Sequence, residues 1–329
     1  MLTVRGKPNL FKLTSWSSAV FSPIIFSLTI ILFTLPRVST AVSPRIGVIY
    51  PNMRPPYQDV FNNIIQGVEE ITGESANLYD IENGYDSVDL LNDLQNDHIE
   101  TVITLGQRAL KLAMRIPKRF DMLAGAVYIS PNTNENLVSG ISFDVDPEII
   151  FSRLKKLAPG VNKVSVVYNP AQSDWLIERA KNLAPNYGLT FVALSAYNLR
   201  TTATLYRDIA QHADSNQSMW LLQDQANLDQ SVILPMILKL AWDKQFVVIS
   251  SNPAHVKKGA LFSLYPDNVA LGRRLASMAV RRFQEGVRTH EILPARELLI
   301  AVNIRTAKRL NLDFPIAQQR EFDLVFPSE

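Results

Sequence analysis

The sequence predicts an α/β protein built as two doubly wound, Rossmann-like lobes, each a mainly parallel sheet covered by helices on both faces. Three observations lead there. Short, β-branched, almost continuously apolar segments alternate with amphipathic segments of helical period, which is how parallel strands buried on both faces read. The series is too long for one simple sheet, and its pattern restarts near residue 146. Finally, the two halves open alike. "GVIYPN" (47–52) and "VVYNP" (166–170) each set a tyrosine at the end of a strand, then Asn and Pro in one order or the other, then a helix. With 329 residues and 47% hydrophobic content the chain can bury two cores.

The elements run in order. "RIGVIY" (45–50) is the first strand. The next segment sets Val60, Phe61, Ile64, Ile65, Val68 and Ile71 three and four residues apart, the stripe of a helix with one buried face. "ETVITL" (100–105) is a strand, and Gly106 opens a helix through Met114. "LAGAVYI" (123–129) and "SGISFDV" (139–145) are extended. The second half predicts helix 147–157, strand "KVSVVY" (163–168), helix 174–185 with Ser173 or Asp174 as its N-cap, strand "TFVALSA" (190–196) and helix 202–213. Strand "SMWLL" (218–222), helix 231–243, strand "FVVIS" (246–250) and "ALFSLY" (260–265) come next. A long helix at 267–285, strand "ELLIAVN" (297–303) and a short helix at 304–310 complete the series.

Residues 1–41 read as an address. Arg5, Lys7 and Lys12 precede the 17-residue apolar run Ala19 to Leu35, and the small residues Ser39, Thr40 and Ala41 come after it. That is the order of a secretory signal cleaved after Ala41. The alternative is an uncleaved N-terminal anchor, although the run is short of the ~20 residues that span a bilayer comfortably and Pro23 interrupts it. Four of the 33 basic residues and none of the 31 acidic ones fall in this leader, so the rest of the chain is slightly acidic despite the formal +2 of the whole. Nothing in the charge argues for nucleic acid.

Composition removes further classes. With no cysteine, disulfides, thiolate nucleophiles and cysteine metal sites are excluded. No glycine-rich phosphate loop comes after the first strand; "YPNMRPP" stands there, and its prolines cannot cradle a pyrophosphate. No nucleophile elbow is present. "HEILP" (290–294) starts like a zinc signature, but Pro294 occupies the place of the second histidine. His98, His212, His255 and His290 lack ligand spacing. The sequence therefore predicts no enzyme, no metal and no cofactor.

What remains is a set of aromatic and polar residues at predicted strand ends: Tyr50 and Asn52, Gly106 and Gln107, Tyr128 and Ser130, Tyr168 and Asn169, Gln223 and Asp224, Ser250 and Ser251, and Tyr265. In open α/β sheets ligands bind beyond the carboxyl ends of strands. Aromatic walls with a few directed polar groups suit a small, part-zwitterionic ligand. An ammonium would sit near Asp224 and the tyrosine faces, and a carboxylate at a helix N-terminus. Each such residue taken alone reads first as ordinary turn or strand-end chemistry.

Several runs together resemble a known family: "SVVYNPAQSDW", "LLQDQANLD", "KKGALFSLYPDNVALGRRLASMAVRRFQEG" and "LLIAVNIRTAKRLNLDF". They are similar to the substrate-binding proteins of ABC importers, in the branch whose studied members bind tryptophan, phenylalanine or related amino acids. The resemblance covers about 45–314. It implies a type I periplasmic binding fold: two lobes, a hinge of three stretches and a ligand clamped between. It implies an N-lobe of 44–145 plus about 267–293, and a C-lobe of 146–266 plus about 294–326. It also implies that Asn169, Ser173 and Asp224 contact the backbone of an amino acid. The sequence departs from that pattern at Ser130, where an acid is usual, at "TLGQRALKLA", and at Gln172, where an Asn usually precedes the serine. These departures leave the ligand open. The implied function is a monomeric periplasmic solute-binding protein that delivers a small amino-acid-like ligand to an ABC permease. The alternative is a ligand-sensing subunit for a membrane signalling protein.

Overall fold

The computed structural model describes residues 43–81, 85–117, 119–131, 138–222, 231–286 and 289–327. The leader at 1–41, Gln223 and Asp224 lie outside them. The first half runs β1 (Ile46–Pro51), α1 (Tyr57–Thr72), β2 (Asn77–Ile81), α2 (Ser87–Asn96), β3 (Thr101–Leu105), α3 (Gly106–Ala113), β4 (Asp121–Val127) and β5 (Ser139–Val145). The second runs α4 (Pro147–Leu157), β6 (Lys163–Tyr168), α5 (Pro170–Leu183), β7 (Thr190–Ser195), α6 (Leu199–His212), β8 (Gln217–Leu221), α7 (Ile233–Lys244), β9 (Val247–Ser250), α8 (Pro253–Lys258) and β10 (Phe262–Pro266). Then come α9 (Asn268–Glu285), β11 (Ile292–Ala295), β12 (Leu298–Asn303), α10 (Ile304–Arg309), α11 (Ile316–Gln319) and β13 (Leu324–Phe326).

The strands form two sheets. One has the order β11-β5-β4-β3-β1-β2, with every neighbouring pair parallel. The other has the order β13-β12-β10-β9-β8-β6-β7 and is parallel except between β10 and β12. This is the two-lobed α/β architecture that the sequence predicts. In each sheet the opening strand has its successor on one side and the third strand on the other: β2-β1-β3 and β7-β6-β8. Both are topological switch points, where the chain departs in opposite directions and leaves a crevice at the carboxyl edge. The echo between "GVIYPN" and "VVYNP" thus marks equivalent places, the carboxyl ends of β1 and β6.

Burial explains the strand composition. In the first sheet Val48, Ile103 and Leu123 pack beneath α1 and α9, while Ile49, Val102 and Met122 pack beneath α2 and α3. In the second, Val164, Val166 and Trp220 face α4 and α5, and Val167, Met219 and Val248 face α6, α7 and α8. Alternate residues feed opposite cores, so nearly every position is apolar. Helices α1 and α9 approach so closely that a Cβ on Gly67 would lie 2.0 Å from the Val269 carbonyl oxygen, and one on Gly272 would lie 2.0 Å from that of Ile64. Those two glycines let α9 pack directly against α1 on that face of the first sheet.

Several elements were silent in the sequence. β2 and β11 are sheet edges: β2 alternates, with Leu78 47% exposed, and β11 is only four residues long with a proline inside it. Pro294, the residue that spoils the zinc signature, lies within β11, where an edge position tolerates a missing N–H. α2 buries only Leu90 and Leu94. Two expectations need correction. Ile71 ends the α1 stripe yet is exposed, because α1 reaches its left-handed cap at Gly73 just beyond it. Helix α5 begins at Pro170, not 174, and its cap is Asn169, whose side chain accepts from the Ala171 N–H. Proline at the first helical position has no N–H to satisfy and a φ already helical; Ser173 and Asp174 therefore sit inside the first turns.

The chain passes between the sheets three times, at 145–146, 266–267 and 295–298. The Asp146 N–H donates to the Ala295 carbonyl at 2.9 Å, and the Asp267 N–H to that of Glu297 at 3.0 Å. Asp146, fully buried, also caps α4 through Glu148 N–H. Its carboxylate takes two bonds from Arg179 of α5, both 2.9 Å, and one from Arg296 at 2.7 Å. One carboxylate therefore ties two crossings and α5 together.

Candidate ligand-binding site

The site is built from chain that leaves the carboxyl edges of parallel strands. In the first sheet these are the residues after β1, β2, β3 and β4. Tyr50 is half-buried with its ring 6.4 Å from that of Phe61. Burial, and then the Asp80 charge, push its phenol above the ordinary value. Asn52 is exposed and donates from Nδ2 to Asp80 Oδ2 at 3.0 Å. The other carboxylate oxygen, Oδ1, is buried and has no hydrogen-bond partner among the described residues. Asp80 sits opposite Tyr50 in the β1–β2 register.

Beyond β3, Gly106 starts α3 with a φ of +83°, in the left-handed region. A Cβ there would make only ordinary contacts with Phe61, so the backbone angle, not crowding, calls for glycine. No side chain caps α3; its first N–H groups and its dipole are offered to the edge. Gln107 is exposed beside it. In β4, Ala126 adopts φ +54° where the register with β5 shifts. A bulge of this kind re-aims the side chains beyond it. Tyr128 emerges 39% exposed, packed edge-on to Phe143 at 6.0 Å. Desolvation, and secondarily Asp144, raise its phenol. The Ser142 hydroxyl accepts from Ile129 N–H at 3.2 Å and donates to Asp144 at 2.8 Å, which fixes the segment carrying Tyr128 and the half-buried Ser130.

In the second sheet the edge residues come after β6, β9 and β10. Tyr168 is 7% exposed, and its ring belongs to the core under α4 and α5. Asn169 caps α5, and Ser173 is buried one turn on. Ser251 is half-buried after β9. Its neighbour Ser250 is buried and bonded to His255 Nδ1 at 2.8 Å. Tyr265 packs toward the α6–α8 side of the sheet, and burial raises its phenol first, Asp323 second. The structure thus brings Tyr50, Asn52, Gly106, Gln107, Tyr128 and Ser130 to one edge, and Tyr168, Asn169, Ser173, Ser251 and Tyr265 to the other. Tyr168 and Tyr265 spend much of their rings on the cores. Asp80 was missed because β2 has the alternating polarity of an edge strand, and no strand end was expected there; an acid closing "NLYD" beside the first loop was the available signal.

Among the described residues no helix is long and apolar enough to cross a membrane, and no group of three His, Asp or Glu could hold a metal ion. The arrangement offers dipoles, amides, phenols and a carboxylate at crevice edges, which is equipment for reversible binding.

Comparison with known proteins points the same way. No curated protein sequence matches the chain. Among solved structures, a substrate binding protein with adhesive properties from Clostridium difficile, in a ligand-free, open form, superposes with a TM-score of 0.61 at 18% identity, covering 87% of this chain and 100% of that one. An ABC domain in complex with L-Trp from Streptococcus pneumonia gives 0.53 at 17%, covering 87% and 100%. A conserved domain protein from Vibrio cholerae gives 0.52 at 17%, covering 86% and 100%. At such identities the likeness is one of fold. The sequence profile described as ABC transporter substrate binding protein matches residues 121–315, more than half the chain and spanning both sheets. With the fold, the switch-point crevices and that match in agreement, the chain belongs to the ABC transporter substrate binding protein family.

Proposed function

We propose that this solute-binding protein takes a small amino-acid-like ligand that carries an ammonium group, holds it between the two carboxyl edges and delivers it to an ABC-type membrane importer from the outer side of the membrane. One observation carries the ligand class: Asp80 Oδ1, buried at the edge of the β1–β2 pair with no donor among the described residues. An orphaned buried acceptor costs about 1–3 kcal/mol, and an ammonium would offset that cost. The uncapped start of α3, two strands away, suits the ligand's carboxylate. Exposed Tyr128 supplies an aromatic face to its side chain. On closure, contacts from both edges favour the closed form, so occupancy is reported as shape.

The test is a thermal-shift screen of L-amino acids and simple amines, with L-tryptophan and L-phenylalanine included. A ligand at 100 times its Kd adds about 2.7 kcal/mol of stability, a rise of several degrees. The hit is then titrated against Asp80→Asn, which keeps the bond to Asn52 and removes the charge. A loss of affinity of tenfold or more is expected. An Asp80→Asn protein that binds as tightly as its parent ends the ammonium assignment, and a screen in which only non-amine solutes shift the melt ends the amino-acid class. Uptake of the hit should require the importer.

A further inference from the structure

The second sheet carries a cavity at its other edge. β12 runs antiparallel to β10, and its last residue, Asn303, meets Leu261 just before β10 begins. This is therefore the amino edge of β9 and β10, opposite Ser251 and Tyr265. A cavity of about 650 Å³ opens there between the ends of α7, α8 and α10 and the tail of β13. That volume is within the usual ~300–1,000 Å³ of small-molecule sites.

The lining has two parts. Trp242, 38% exposed, and half-buried Phe326 provide flat apolar surface, with the buried Phe246 in the wall between them and the core. Four cations surround it: Lys257 and Lys258 from the last turn of α8, Arg305 and Arg309 from α10. The two guanidinium carbons lie 5.4 and 5.5 Å from the centre of the Trp242 ring. A fifth cation, Lys239, is matched by Asp243 at 2.6 Å; the other four form no salt bridge among the described residues. The walls are fixed. Arg309 Nε donates to the Trp242 carbonyl at 3.1 Å, Gln245 to that of Arg309 at 2.9 Å, Thr306 to that of Gly259 at 3.0 Å, and Asn303 to that of Val256 at 2.8 Å.

Gathering four unmatched cations around one exposed indole is unfavourable by itself, since like charges repel and apolar surface stays wet. A guanidinium lying over an aromatic face still presents N–H groups along its edge, suited to a carboxylate, sulfonate or phosphate. We propose that this cavity is a second small-molecule site, separate from the carboxyl-edge crevice, that takes a flat apolar body bearing an acidic group. The concavity favours a small molecule over a flat membrane or protein surface.

The probe is 8-anilinonaphthalene-1-sulfonate, with N-phenyl-1-naphthylamine as the same ring system without the anion, each titrated by fluorescence against the purified chain. The sulfonate is expected to bind saturably and at least tenfold tighter than the neutral amine. Its affinity should fall tenfold or more in Arg305→Ala/Arg309→Ala and at least threefold in Lys257→Ala/Lys258→Ala, whose exposed side chains leave folding untouched. Tyr128→Ala, at the carboxyl edge of the first sheet, should leave it unchanged. Equal binding of the neutral amine, unchanged sulfonate binding in both cation variants, or loss of binding in Tyr128→Ala would overturn the proposal. So would vesicles of phosphatidylglycerol that depend on these four cations while the sulfonate does not, which would assign the patch to a membrane surface instead.

Discussion

Removing the Asp146 carboxylate should loosen the joint between the lobes, and its size can be worked out. The side chain is fully buried and makes four bonds: one from the Glu148 N–H, two from Arg179 and one from Arg296. In Asp146→Ala the α4 cap is lost, at about 1 kcal/mol. The charge-assisted bonds would be worth more in a sealed interior, but both guanidinium groups are over a third open to water, 39% and 44%, and regain hydration. That screening holds their share to about 1–2 kcal/mol. The sum, about 2–3 kcal/mol, lowers Tm by roughly 3–5 °C for a chain of this size. Asp146→Asn keeps an acceptor for the cap and should lose about half as much. The assay is calorimetry of both variants beside the parent, with a double-mutant cycle against Arg296→Ala, in which the two changes should be clearly non-additive. A Tm for Asp146→Ala within about 1 °C of the parent, or strict additivity with Arg296→Ala, would show that the cluster is ornamental and that the crossings are held by backbone bonds alone.

Other outcomes rest on single contacts. Burial, and then Lys258, hold the His255 imidazole down at about 4, against an ordinary 6.5. The unfolded chain therefore takes up a proton that the folded one refuses as pH falls from about 6.5 to about 4, and stability drops through that window by about 2 kcal/mol at pH 5. Urea melts at pH 7 and 5 should show the drop in the parent and its absence in His255→Asn. Gly67→Ala sets a Cβ 2.0 Å from the Val269 carbonyl oxygen. Helix α9 must retreat by more than 1 Å, at about 3 kcal/mol, which outweighs the ~1 kcal/mol that Ala gains over Gly in a helix; a melt at or above the parent's would refute the close approach. Asn169→Ala removes the α5 cap, and should cost about 1 kcal/mol in denaturant unfolding besides any loss of ligand affinity.

Legibility in the sequence tracked burial. Strands that feed two cores, such as β3 and β6, were readable because nearly every position is apolar, and helices such as α4 because every third and fourth position is. Edge elements were not: β2 and β13 bury at most one face, β11 is only four residues long, and Pro294 read as a breaker where it is an edge residue. The candidate residues were found as strand ends, and the described ones do leave carboxyl edges. What each side chain does there was not legible. Tyr50 and Tyr168 are equivalent in the two halves, yet Tyr168 is sealed in the core and Tyr50 is only half-buried beside Asp80. Asn169 looked like a ligand contact and is first of all a helix cap.

The sequence by itself determined the class of the protein: two α/β lobes, no thiol chemistry, no phosphate loop, and a family likeness that the profile match supports. Hydrophobic period and composition are local properties, so one dimension suffices for them. Only the tertiary structure decided which distant residues share an edge or a joint. Asp146 meets Arg296 across 150 positions, Asp80 is left with an unpartnered oxygen, and Arg305 and Arg309 come to lie over Trp242. Those placements come from strand order and from which element ends are packed side by side. Neither leaves a periodic trace in the chain, because the free energy that selects them belongs to pairs of segments and not to either one alone.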